Sequence, residues 1–157
     1  MGPFTTRPRP TLKRRFQLPL VILLAALWGL TIGSDAYAAP ANAVSNAEQL
    51  IAQYTALWHE PDPARRLKTI EQIWSVSGQH QTPRSYSAGS RALNTEITEF
   101  QAQFPGATVT AHGVMRTHNH LLFNFTLRGI SGAIIVEGVD YMRLDDSGKI
   151  SHVVGFF

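Results

Sequence analysis

The chain has no cysteine in its 157 residues. Disulfides and thiolate metal sites are therefore excluded, and stability has to come from an apolar core. It also has no glycine-rich phosphate loop and no nucleophile elbow, because Gly78 and Gly89 stand alone among other residue types. No spacing of histidines and carboxylates on one element reads as a metal site, which needs three or four converging ligands. Neither a metal nor any other cofactor is expected. A long hydrophobic run is missing too. The longest uncharged apolar stretch is Leu20–Ile32, short for a spanning helix of about 20 residues.

What precedes and follows that stretch gives it a meaning. Arg7, Arg9, Lys13, Arg14 and Arg15 come before it with no acid among them, and Ala36-Tyr37-Ala38 follows. A basic start, a short apolar core and a small-x-small site form the pattern of a secretory signal. Cleavage is expected after Ala38, with an uncleaved signal anchor in the inner membrane as the alternative. The export product would lie in the periplasm or the medium. The sequence thus divides into a signal at 1–38, a linker at 39–44 and one domain at 45–157. Beyond residue 38, nine basic residues face ten acidic ones, so the high overall pI belongs to the targeting segment. No basic stripe is left to argue for nucleic acid.

The domain reads as helices first and strands second. Ser45-Asn46-Ala47-Glu48 has the form of a capping box. Ala47, Leu50, Ile51, Tyr54, Leu57 and Trp58 then recur at helical spacing. Pro61-Asp62-Pro63 stops this helix and starts the next, in which Leu67, Ile70, Ile73 and Trp74 form a second stripe. Residues 75–90 are polar and read as loop, with a short strand near Gly78–Thr82. A third helix after Ser90 carries Leu93, Ile97, Phe100 and Phe104. Strands follow at Thr108–Met115, Leu121–Arg128, Ala133–Leu144 and Ile150–Phe157, joined by breaks short enough for antiparallel hairpins. This order predicts an α+β fold: a curved antiparallel sheet wrapped around three N-terminal helices, with a cleft between the layers.

Asp140 is the most informative side chain. Ile134, Val136, Gly138, Asp140, Met142 and Leu144 alternate along one face of their strand, so a single carboxyl stands in an apolar row. Desolvation should raise its pKa, and the protonated form can donate a hydrogen bond. Tyr54 lies on the apolar stripe of the first helix and needs a partner for its hydroxyl. His80, ahead of Pro83 near the expected cleft mouth, is a candidate general base, although the sequence favours a surface histidine there. Trp58, Trp74, Phe123, Val136, Met142 and Phe157 are the candidate apolar lining. His118 and His120 flank a hairpin turn and read as solvated. His59 sits at a helix end, where a cation is favourable.

Several of these segments together look like a known superfamily. They are Tyr54-Thr55-Ala56-Leu57-Trp58, the break at Pro61-Asp62-Pro63, Phe104-Pro105-Gly106 and the closing hairpin from Gly138 to Ile150. They resemble nuclear transport factor 2-like proteins, and within them SnoaL-like polyketide cyclases and ketosteroid isomerases. The resemblance covers nearly all of residues 45–157 and implies a cone: a bent sheet around helices, open at one end, often dimeric through the sheet. It also implies that Tyr54 and Asp140 match the isomerases' oxyanion-binding pair of a tyrosine and a protonated aspartic acid. Where those enzymes carry a catalytic Asp before a Pro, this chain has Thr82 before Pro83, and threonine cannot act as a carboxylate base.

The missing base puts binding ahead of catalysis. The first reading is an exported binder of a small apolar molecule with a carbonyl or phenol oxygen gripped by Tyr54 and Asp140. The second is an isomerase- or cyclase-type enzyme in which His80 or water replaces the lost base. The third is a non-catalytic module that dimerises through its sheet, its cone filled by aromatic side chains.

Overall fold

The computed structural model describes residues 41–157, with side chains from Asn46 onward. The signal segment and cleavage site expected from the sequence lie outside the described residues. Three helices, α1 (Ala41–Leu57), α2 (Pro63–Ile73) and α3 (Ser90–Gln103), accompany six strands. The strands are β1 (Trp74–Gln81), β2 (Tyr86–Ala88), β3 (Thr108–Thr117), β4 (His120–Arg128), β5 (Ile134–Leu144) and β6 (Ile150–Phe156). Helix α1 begins at Ala41, ahead of Ser45, so Ser45 lies within the helix and is not its cap. Asp62 does cap α2: its carboxylate accepts from the N–H groups of Ala64 and Arg65, and Pro63 takes the first helical position.

The strands form one sheet in the order β2-β1-β6-β5-β4-β3. It is mixed, which corrects the purely antiparallel expectation: β1 runs parallel to β6, and every other pair is antiparallel. Hairpin turns announce the antiparallel pairs. The β1–β6 pairing joins strands separated by β2, α3 and three further strands, so no local signal marks it. Strand β1 is also longer than the Gly78–Thr82 piece expected. It leaves α2 without a loop, because Trp74 is already extended at the helix end.

Cross-strand partners share a face, and the register sorts the inner face into rows. Leu121, Met142, Val153 and His80 lie opposite one another, followed by Phe123, Asp140 and Gly155. Helix α1 sets Ala47, Ile51, Tyr54 and Leu57 against this face, at the spacing of a single helical stripe. Ile70, Ile73, Trp74, Leu93 and Ile97 complete the core. Trp74, Phe123 and Met142 are fully enclosed here. They plug the closed end of the cone.

Candidate functional site

The plug ends at the Asp140 row, and a cavity of about 300 Å³ opens above it. Its walls come from Trp58 just after α1, Phe100 on α3 and Phe104 at its end, and Val109, Phe125, Leu127, Ile135 and Val136 on the sheet. The polar groups facing it are Tyr54, His80, Thr82, Ser85, Glu96 and Asp140, with Arg84, Glu99 and Gln103 also on its lining. Of the apolar lining expected from sequence, Trp58, Val136 and Phe157 reach the cavity. Trp74, Phe123 and Met142 do not; they share its face of the fold but lie one layer deeper, in the plug.

Asp140 is only 9% exposed. The strand alternation that places it inward holds from Asp140 through Met142 to Leu144, all buried, whereas the expected row fails at its start, where Ile134 is exposed beside a register shift. Its carboxyl makes no hydrogen bond among the described residues. Burial pushes its pKa up to about 6, against the pull of His80. Gly155 lies opposite it on β6. A Cβ at that glycine would stand 3.0 Å from Asp140 Oδ1 and 3.5 Å from Thr82 Cγ2. The absence of a side chain at 155 therefore makes room for the carboxyl.

Tyr54 is buried, stacked on Trp74 with ring centroids 6.3 Å apart and edge-on to Trp58 and Phe123. Burial first, then the charges of Asp140 and Glu96, hold its phenol well above the ordinary range, opposed by a hydrogen bond from Trp58. At neutral pH it is a proton-bearing donor.

His80 is buried as well, at 3% exposure. Its Nδ1 lies 2.9 Å from Glu96 Oε1, and its ring tilts against Trp58 at 5.5 Å between centroids. His80 stands opposite Val153, and Asp140 opposite Gly155, so the two belong to neighbouring inner rows with β6 between them. Strand and residue spacings put their backbones roughly 12 Å apart, with both side chains directed into the same cavity. A small molecule can touch both.

Glu96 did not stand out in the sequence, yet the signal was present. It lies three residues after Leu93 and four before Phe100, on the stripe that α3 turns inward. That makes it a carboxyl in an apolar row, the same pattern that singled out Asp140. Burial raises its pKa, but the hydrogen bond and charge of His80, with the hydrogen bond from Ser85, outweigh this and hold it below its ordinary value. Thr82 lines the cavity and caps its own turn, accepting from the N–H groups of Arg84 and Ser85. His120 is not simply solvated: its Nδ1 lies 2.6 Å from the Tyr141 hydroxyl. His59 Nε2 accepts from the Val109 N–H at 3.0 Å and so ties the end of α1 to β3.

No protein-family model and no curated protein matches the chain. Solved structures do. A SnoaL-like family protein from Agrobacterium tumefaciens is 26% identical, with 71% of this chain and 97% of that one covered at a TM-score of 0.68. A protein of ketosteroid isomerase-like fold from Catenulispora acidiphila, in complex with trimethylamine, is 14% identical over 69% of this chain and 84% of its own, at 0.58. A SnoaL-like protein from Jannaschia is 15% identical over 69% and 85%, at 0.54. An open cone with three helices on a bent six-stranded sheet, matched over 84% or more of the length of these proteins, has the nuclear transport factor 2-like fold that the SnoaL-like and ketosteroid isomerase-like proteins share.

Proposed function

We propose that the cavity binds a small, largely apolar molecule by an oxygen atom, held by Asp140 and Tyr54, and moves a proton on it with His80 as the base. One observation carries this reading. A buried carboxyl without a hydrogen-bond partner shares a cavity with a histidine whose other ring nitrogen is tied to a carboxylate. Burial raises the pKa of one carboxyl in the site, while hydrogen bonds lower that of the other. Such divergent pairs mark acid and base roles.

In the reaction, a carbonyl oxygen takes its hydrogen bonds from Tyr54 and from Asp140 in its protonated form, which predominates below about pH 6. His80 removes a proton from the adjacent carbon. The electron pair of that C–H bond moves into the carbon framework and onto the oxygen, where Asp140 stabilises it. The intermediate then takes the proton back from His80 at another carbon, which is an isomerisation, or its carbon attacks a second carbonyl within the same molecule, whose π pair moves onto its own oxygen and takes the proton from His80, which closes a ring. His80 supplies the base that position 82 lacks, which favours catalysis over binding alone. The complex of the Catenulispora protein with a small amine agrees with a cavity of this fold holding a small molecule.

The test uses planar phenols that mimic an enolate, followed by Trp fluorescence, together with exchange of α-hydrogens for deuterium in small unsaturated ketones and polyketide methyl esters. Wild type should bind the phenols saturably and catalyse exchange. Asp140→Leu should lose binding. His80→Gln should keep binding and lose exchange by about 100-fold or more. Phenol binding without exchange on any probe would restore the binder reading. No binding by wild type would overturn both.

Two further parts of the proposal concern setting. The domain acts after export and removal of residues 1–38, which the mass of the mature chain would check. It also pairs with a second copy through the outer face of its sheet.

A further inference from the structure

The polar groups behind His80 form a chain whose direction follows from counting protons. Thr82 Oγ1 accepts from the backbone N–H of Arg84 at 3.1 Å and of Ser85 at 3.0 Å. With both acceptor positions engaged, its own hydrogen is left for Ser85 Oγ, 2.8 Å away. Ser85 Oγ then donates to Glu96 Oε1 at 2.6 Å. An ionised carboxylate only accepts, and Glu96 is held ionised by these same neighbours. His80 Nδ1, 2.9 Å from that oxygen, must therefore be the donor. In a neutral imidazole the other nitrogen then carries the lone pair.

We infer that Thr82, Ser85 and Glu96 are positioning residues that lock neutral His80 as its Nδ1–H tautomer and present Nε2 to the cavity as the basic atom. The role rests on the proton-transfer reading above; the tautomer itself does not. Residues 80 and 82 lie two apart, so a shift of the base from 82 to 80 keeps it on the inner side of the chain. Thr82 thus orients the base without being it. The relay also joins three elements: Thr82 and Ser85 close the turn between β1 and β2, and Glu96 reaches them from α3.

The experiment is a long-range nitrogen–proton correlation spectrum of histidine-labelled protein without ligand, with the His80 signals assigned by their loss in His80→Gln. Neutral His80 in wild type should carry its proton on Nδ1 alone. In Glu96→Gln the amide can accept or donate, so both tautomers should appear. Glu96→Gln should also lower α-hydrogen exchange by about tenfold or more with the phenol dissociation constant unchanged, a split that mere loosening of the fold would not give. An Nε2–H ring in wild type overturns the inference, as does an unchanged Nδ1–H ring in folded Glu96→Gln. The wild-type spectrum needs no variant, so the inference stays exposed even where Glu96→Gln fails to fold. A locked Nδ1–H ring in a protein that exchanges no probe would uphold the relay and sink the catalytic reading. A mixed ring in an exchanging protein would do the reverse.

Discussion

Asp140 makes the fold pay for function in a way that pH can reveal. Its pKa is about 6 when folded against an ordinary value of 3.8, so the folded state binds the proton more tightly. Lowering the pH through the window from about 6 to 3.8 therefore stabilises the fold, and above it the buried charge costs roughly 3 kcal/mol. Asp140→Asn should be more stable than wild type at pH 8, with most of that gain gone near pH 4. Urea denaturation at the two pH values checks this, and an equal difference at both would contradict the raised pKa. Glu96 works in the opposite sense. Its pKa is lowered from 4.5, so its contribution is present above that value and is lost as pH falls through the lowered one. Gly155→Ala probes the same spot sterically. A methyl 3.0 Å from Asp140 Oδ1 displaces the carboxyl, and phenol affinity should fall about tenfold, or 1.4 kcal/mol, in a protein that still folds. Isothermal titration calorimetry gives the affinity, and an unchanged value would mean that Asp140 does not grip the ligand.

At the scale of elements, helix α2 holds a feature that periodicity conceals. Arg66, 1% exposed, sits on its buried face beside Ile70 and Ile73. The guanidinium donates to the side chains of Asn94, Thr98 and Gln101 and to the carbonyls of Glu60 and Asn94. It fastens α2 to α3 and to the turn after α1, and so steadies the helix that carries Glu96 and Phe100. Arg66→Ala should cost about 3 kcal/mol or more, because it leaves several buried acceptors without a donor. The urea midpoint should drop accordingly, and a change below about 0.5 kcal/mol would mark the network as dispensable. The apolar stripes of α1 and α3 were legible because each repeats at helical spacing. Arg66 was not, because arginine on a stripe reads as a solvated edge until its partners, about 30 residues away in sequence, are folded against it. Strand β2 was hidden for a related reason. Its three residues are too few for an alternation to show, and pairing with β1 defines it.

For the whole molecule, the order of helices and strands and the inward turn of Asp140 could be read from the chain. The parallel β1–β6 pair could not, since it depends on where distant strands meet. That same sheet leaves a row on its outer side that only the register reveals. Tyr86, Gln81, Val154, Tyr141, Leu122 and Met115 lie opposite one another in turn, from one edge of the sheet to the other. Tyr86 and Met115 are exposed, while Val154, Tyr141 and Leu122 are half-buried. Five of these six side chains are apolar or aromatic, and the row spans every strand, which is the geometry that an isologous pair needs. Val154 stands at its middle and Gly155, the next residue, lies on the inner side opposite Asp140, so a charge at 154 tests one side of the sheet without touching the other. Sedimentation velocity should give a dimer for the wild type and a monomer for Val154→Arg, with phenol binding retained in both. A wild-type monomer at every accessible concentration would rule out pairing through this face, and loss of phenol binding in Val154→Arg would show that the two faces of the sheet are coupled through β6.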